Sequence, residues 1–353
     1  MFPRYLHLSL VLSLGYLCLS TAVPLDARQR KQKNTKAATG ATQATDGSTI
    51  IDKKVVINGL TMRFKVSAPA SELVGAAGAG ATGATGKLGI NVLFHGDGGQ
   101  SFFDFPNQGV NNGIMGVALL SPDPQLRWGG FDPNDNTGLV RPDGPAHSAA
   151  VNQLLTTELP KVVNFDPTQI FMEGVSGGSL LLSGFMLPTF GASLAVPGAV
   201  MGCGGLPPQV AVQGDLSKTR IHWQSTTDEL PELQTSIPQA ITAYETLASK
   251  AGLSTAQINQ LQTADASPNG GHCEFDQKDF VSGVQLLSDN YADILAGGAT
   301  LNGVAVTNGV VGNEALFSRA QTAGASANRG STRTGGSSRA KALAAALGQR
   351  KTS

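Results

Sequence analysis

The sequence predicts an α/β fold, with a mostly parallel central sheet covered by helices on both faces. Three observations lead there. Short apolar runs at residues 88–94, 116–120 and 170–173 are nearly continuous, as in strands buried on both sides. Stretches with helical spacing alternate with them. The body between two low-complexity ends spans roughly 270 residues, enough for one substantial domain.

Taken in order, residues 1–22 carry the marks of a signal peptide. Arg4 supplies the positive start, residues 5–19 the apolar stretch, and Ser20, Thr21 and Ala22 the small residues for cleavage. The run is too short for a membrane anchor, so the mature protein is expected to be exported, soluble and extracellular. Residues 23–50 read as a disordered low-complexity segment and residues 319–353 as a disordered basic tail. The folded domain is assigned to residues 51–318, with a flexible Gly/Ala insertion at 74–86. Within it, residues 54–66 alternate as antiparallel strands about a turn at Asn58-Gly59. Residues 148–163 space Val151, Leu154, Leu155 and Leu159 as a helix. Residues 170–173 form a strand and 179–186 a helix. The apolar run at 195–202 and residues 220–225 read as further strands. Residues 238–251 read as a helix started by Pro238 and stopped by Gly252. A last amphipathic helix covers 280–294.

The net charge of zero conceals an asymmetry. Residues 1–36 hold six Lys/Arg and one acid, residues 319–353 hold seven and none, leaving 12 Lys/Arg against 24 Asp/Glu between them. An acidic body of this kind is not a nucleic-acid binder. No glycine-rich dinucleotide motif follows a strand, and the histidines lack ligand spacing. Neither a cofactor nor a metal is expected. Of three cysteines, Cys18 falls in the signal segment. Cys203 and Cys273 remain, and in an oxidising compartment they are expected to form one disulfide.

The chemistry concentrates at Gly174-Val175-Ser176-Gly177-Gly178. A strand precedes it and a helix follows, the setting in which G-x-S-x-G lifts a serine onto a sharp turn. The helix start aims free N–H groups at the same place. Upstream, a buried strand ends in His95-Gly96-Asp97-Gly98-Gly99, where glycines let backbone N–H groups approach an oxygen. Gly177 together with Asp97 or Gly98 would then hold an oxyanion. His95, Gly96, Gly99, Gly174 and Gly178 shape the surroundings, His95 as a structural brace. His272 is the candidate base because it lies in a late loop of turn-forming residues. His147, ahead of a helix, and His222, mid-strand, are its rivals. Asp228, after the strand at 220–225, is the candidate acid that orients the base. Glu229 is its near alternative and Asp215 a weaker one.

These segments, with Thr227-Asp228-Glu229-Leu230-Pro231 and Gly271-His272, resemble the α/β-hydrolase superfamily. Within it they are most similar to secreted polyhydroxybutyrate depolymerase and feruloyl esterase types, and the Gly/Ala/Thr-rich style is similar to fungal secreted proteins. The likeness runs in order from Lys87 to Tyr291. It implies Ser176 as nucleophile, Asp228 as acid and His272 as base. One departure stands out: Cys273-Glu274 follows the histidine where many relatives have Trp-Pro.

The resulting expectation is a serine esterase, monomeric and acting on a small or polymeric ester. A binding protein on the same fold and a serine peptidase are the alternatives. Nothing in the residues separates ester from amide cleavage. With 20 aromatic residues and no lid-like apolar helix, a lipase is the weaker expectation.

Overall fold

The computed structural model describes residues 40–295 apart from 45, 76–77, 105–109, 112 and 267. The segment expected as a signal peptide and the basic tail lie outside the described residues. Among the described residues, no helix is long and apolar enough to cross a membrane.

The strands are β1 (Gly40–Gln43), β2 (Thr49–Ile57), β3 (Leu60–Ala68), β4 (Gly89–Phe94), β5 (Val110–Asn111), β6 (Ile114–Leu120), β7 (Ile170–Val175), β8 (Gly198–Gly202), β9 (Arg220–Gln224) and β10 (Gln262–Asp265). They form one sheet in the order β1-β2-β3-β6-β4-β7-β8-β9-β10, with β5 beside β6. β1, β2, β3 and β6 pair antiparallel, whereas every neighbour from β6 to β10 is parallel. The β2–β3 hairpin turns at Asn58 and Gly59, both at positive φ (52° and 80°), as a two-residue turn between twisted strands requires.

All six residues of β4 and all five of β8 are buried. Their side chains alternate between two cores, which is why the sequence shows runs rather than alternation. Val92, Phe94, Ala199 and Met201 join one core with Leu154, Leu155, Leu181 and Tyr244. Leu93 and Val200 join the other with Phe102, Val284, Leu287 and Ile294. The helices that cover the sheet are α1 (Gln100–Asp104), α2 (Gly144–Gln153), α3 (Gly177–Leu181), α4 (Pro231–Lys250) and α6 (Phe280–Leu295), with Leu154 and Leu155 in the π-helical turn that continues α2; α5 (Thr255–Leu261) precedes β10. A mixed sheet covered on both faces, with a serine on the turn from β7 into α3, is the α/β-hydrolase fold.

Several expectations are corrected. The stretch expected as disorder up to residue 50 supplies β1 and the start of β2. The 74–86 insertion packs down where it is described: Gly86 N donates to Phe165 O at 3.1 Å and Asn164 Nδ2 to Ala81 O at 3.0 Å. Its Gly80 leaves no room for a side chain, since a Cβ there would lie 2.9 Å from Asn164 Nδ2. The helix expected from Pro238 begins seven residues earlier, at Pro231, and carries Pro238 inside it. Pro231 at the first helical position is the real start, since its missing N–H has no partner to lose there. Helix α5 and strand β10 are elements that the sequence pattern does not announce. Their apolar content is low, and the start of α5 is set instead by a capping box between Ser254 and Gln257.

Candidate active site

The parallel strands all end at one edge, where ligands gather in open α/β sheets. β7 leads into Ser176, β4 into His95 and Asp97, and β8 into Cys203. The segment after β9 carries Glu229, and the loop after β10 carries His272.

Ser176 adopts φ 50° and ψ −117°, an elbow that lifts its side chain off the sheet. The neighbouring glycines are required by contact. A Cβ on Gly174 would lie 2.7 Å from Ser179 Cα, and one on Gly178 would lie 2.7 Å from His95 O. The Ser176 Oγ lies 2.9 Å from His272 Nε2. His272 Nδ1 bonds Glu229 Oε1, so Nδ1 carries the proton and Nε2 is left to accept from the serine.

The acid is therefore a correction. Asp228 is exposed, whereas Glu229 is buried and bonded to the histidine. The backbone explains the exchange. Thr227 N donates to Pro268 O and Asp228 N to Gly270 O, which extends the β9–β10 edge into the His272 loop. The chain then turns at 227–228, sending Asp228 outward and Glu229 inward. Leu230 N also donates to Glu229 Oε1, and Gln234 Nε2 to Glu229 O, fixing that segment at the start of α4. Asp215 is far from this role: its carboxylate caps Ser217 at the surface.

The other histidines have structural partners. His95 is fully buried, with Nδ1 2.6 Å from Gly96 O and Nε2 accepting from Ser121 N at 2.9 Å. Burial pushes its pKa down to about 4, so it stays neutral and holds the glycine turn. His147, expected ahead of a helix as a rival base, is a second correction. It lies inside α2, buried, and Nδ1 accepts from Gly129 N. His222 sits in the core between Thr263 and Gln224.

Of the three expected oxyanion donors, Gly98 is removed, because its N–H is committed to Leu126 O at 3.1 Å. The N–H groups of Asp97 and Gly177 have no partner among the described residues. Gly99 takes φ 80° to close the turn, with its N–H on Gly96 O. Gly96 faces the site, where a Cβ would lie 3.4 Å from both Ser176 Cβ and Phe280 Cζ.

Cys203 and Cys273 are joined as a disulfide, with Cα atoms 5.2 Å apart. Both are fully buried. Cys273 Sγ lies 3.7 Å from His272 Nε2, so the bridge ties the His272 loop to the end of β8. These two cysteines and His272 form the one metal-ligand-like cluster among the described residues, but its sulfurs are bonded to each other.

Two features of this edge gave no signal in the sequence. Arg141 grips Asp97 with both Nη atoms, at 2.9 and 2.8 Å. Beneath the elbow, Glu173 is fully buried between Asn91 and Ser288.

No protein-family model matches this sequence, and no curated protein does. Solved structures are similar to the chain at low identity. A thermostable esterase is 16% identical over 70% of this chain and 62% of its own length, with a TM-score of 0.45. A carboxylesterase from Mesorhizobium loti is 17% identical over 69% of this chain and 99% of that one, at 0.41. An arylesterase is 12% identical over 74% and 88%, also at 0.41.

Proposed function

We propose that the protein is an exported serine hydrolase that cleaves carboxylic esters through an acyl-enzyme. The observation that carries this reading is the relay Ser176 Oγ–His272–Glu229 beside two unspent backbone donors. Ser176 gives its proton to His272 Nε2 as Oγ attacks the ester carbonyl. Glu229 holds Nδ1–H and stabilises the imidazolium that forms. The N–H groups of Asp97 and Gly177 take the negative charge on the carbonyl oxygen. His272 returns the proton to the leaving alcohol, then takes one from water as that water attacks the acyl carbon, and hands it back to Ser176 Oγ as the ester bond to the serine breaks and the acid leaves.

Export is supported by the character of residues 1–22 and by the disulfide, which persists in oxidising compartments. The resemblance to polyhydroxybutyrate depolymerases and feruloyl esterases favours hydroxy-acid polyesters or esters of aromatic acids, and the enzyme is proposed to act as a monomer. A fluorophosphonate probe should label Ser176 in the parent and not in Ser176→Ala. That variant should lose on the order of 10⁶ in turnover of p-nitrophenyl acetate. An unlabelled parent would point to a binding protein on this fold. Faster turnover of peptide amides than of aryl esters would point to a peptidase.

A further inference from the structure

We propose that Arg141 is a positioning residue of this site, neutralising and clamping Asp97 so that the oxyanion donors keep a positive environment; this rests on the serine-hydrolase reading above. Asp97 has two parts with opposite effects. Its N–H is one of the two donors. Its carboxylate, in contrast, lies against Gly177, the residue that supplies the other: a Cβ on Gly177 would come within 2.6 Å of Asp97 Cγ. A bare carboxylate there would oppose the charge that develops on the substrate oxygen. It would also draw protons onto the nearby imidazole.

Arg141 answers that charge directly. Its Nη1 and Nη2 each bond one Asp97 oxygen, at 2.9 and 2.8 Å, in a planar fork. Nη1 also donates to Trp128 O at 3.1 Å. Only 4% of the Arg141 side chain and 11% of the Asp97 side chain are exposed. Among the described residues, Asp97 is the one carboxylate paired with Arg141, and Arg141 Nε is buried with no partner.

The local fold is built to deliver this guanidinium. Gly129, at φ 81°, lies under Arg141, where a Cβ would be 2.7 Å from Arg141 Cβ. Gly129 O accepts from Asp143 N and Gly129 N donates to His147, which closes the loop around Trp128. Trp128 in turn packs its ring against Phe94, His95 and His147. The loop and the oxyanion turn are thus braced on the same aromatic ring.

The test is a charge cycle read on p-nitrophenyl acetate and on the rate of fluorophosphonate labelling at Ser176. Arg141→Gln should lower kcat on the order of 100-fold with KM within about 3-fold, because the defect is in the transition state. Its activity should also rise with pH at a higher pH than in the parent, as an added negative charge holds the imidazole proton. Asp97→Asn combined with Arg141→Gln removes both charges. It should return the pH profile to that of the parent and kcat to within about ten-fold. A merely structural arginine would leave the double variant as slow as the single one, with no pH shift, and that result overturns the proposal. Parent kinetics in Arg141→Gln would overturn it as well. If Arg141→Gln does not fold, the double variant decides, since it buries no unpaired charge: folded and active supports the proposal, folded and inactive sinks it. A parent that neither labels at Ser176 nor hydrolyses the ester removes the hydrolase reading itself, and this proposal with it.

Discussion

Glu229 and Asp228 are adjacent in the chain, yet one meets His272 and the other meets solvent. What separates them is a single backbone turn, and turn geometry one residue wide leaves little trace in residue type. Ser176 was legible for the opposite reason. A strand, a glycine-flanked serine and a helix are all local, and Gly174 and Gly178 are demanded by atoms within the same few residues or the adjoining strand. His272 was reachable through its loop of turn formers. Gly98 looked like a donor because the sequence shows a glycine, not the Leu126 carbonyl that occupies its N–H. The exchange of acids is open to direct measurement. Glu229→Gln keeps the shape but leaves His272 free to take the wrong tautomer, so kcat should fall by about 10⁴. Asp228→Asn should stay within about 2-fold of the parent, as surface substitutions do when they touch no site. Equal losses in the two variants would return Asp228 to the site.

Among the elements, the loop after β10 matters most, because it carries His272, the proposed base, without being part of the sheet. Two ties hold it. Residues 226–228 bond to 268–271, through Thr227 N, Asp228 N and the Thr226 hydroxyl. The Cys203–Cys273 disulfide then pins it to the end of β8, closing a separation of 70 residues. In the chain-entropy account, a loop of that size is stabilised by about 4 kcal/mol. Both cysteines stand at positive φ (44° and 61°), so each holds its backbone in a region that favours glycine. The pairing could be foreseen because two cysteines remain after the signal segment, an even number in an oxidising compartment. Reduction of the denatured, then refolded protein, or Cys203→Ala with Cys273→Ala, should free the His272 loop while the parallel sheet stays folded. Ester turnover should drop at least about ten-fold at a temperature where circular dichroism still shows the parent fold. Full activity in the reduced protein would show that the 226–228 ladder alone positions the base.

At the scale of the molecule, a charge-free core would be the simple expectation for a sheet covered on both faces, and Glu173 breaks it. It lies in β7, three residues before Ser176, with Oε2 accepting from Asn91 Nδ2 at 2.9 Å and Oε1 from the Ser288 hydroxyl at 2.7 Å. Burial pushes its pKa up to about 7, against the pull of those two hydrogen bonds and with help from Asp289. Asp289 is itself raised to about 6, chiefly by burial, and Tyr291 is raised beside Glu173. An acid that holds its proton better folded than unfolded binds more protons in the native state. Its stabilisation is full below the unfolded value near 4.5 and is lost as pH climbs through about 7. The histidines act in the other direction. His95, His147 and His222 are all lowered by burial, and their contribution is present above 6.5 and lost as pH falls, for His95 through about 4. Over the same interval the two sets oppose each other, so the slope of the parent alone decides nothing. The difference between parent and Glu173→Gln isolates the carboxylate, because the histidine contributions cancel. Urea unfolding of both proteins from pH 4.5 to 7.5 should show the parent losing stability relative to Glu173→Gln as pH rises, by on the order of 3 kcal/mol in total. A difference that is flat with pH would mean that Glu173 is already ionised throughout, held by Asn91 and Ser288 more strongly than its burial opposes.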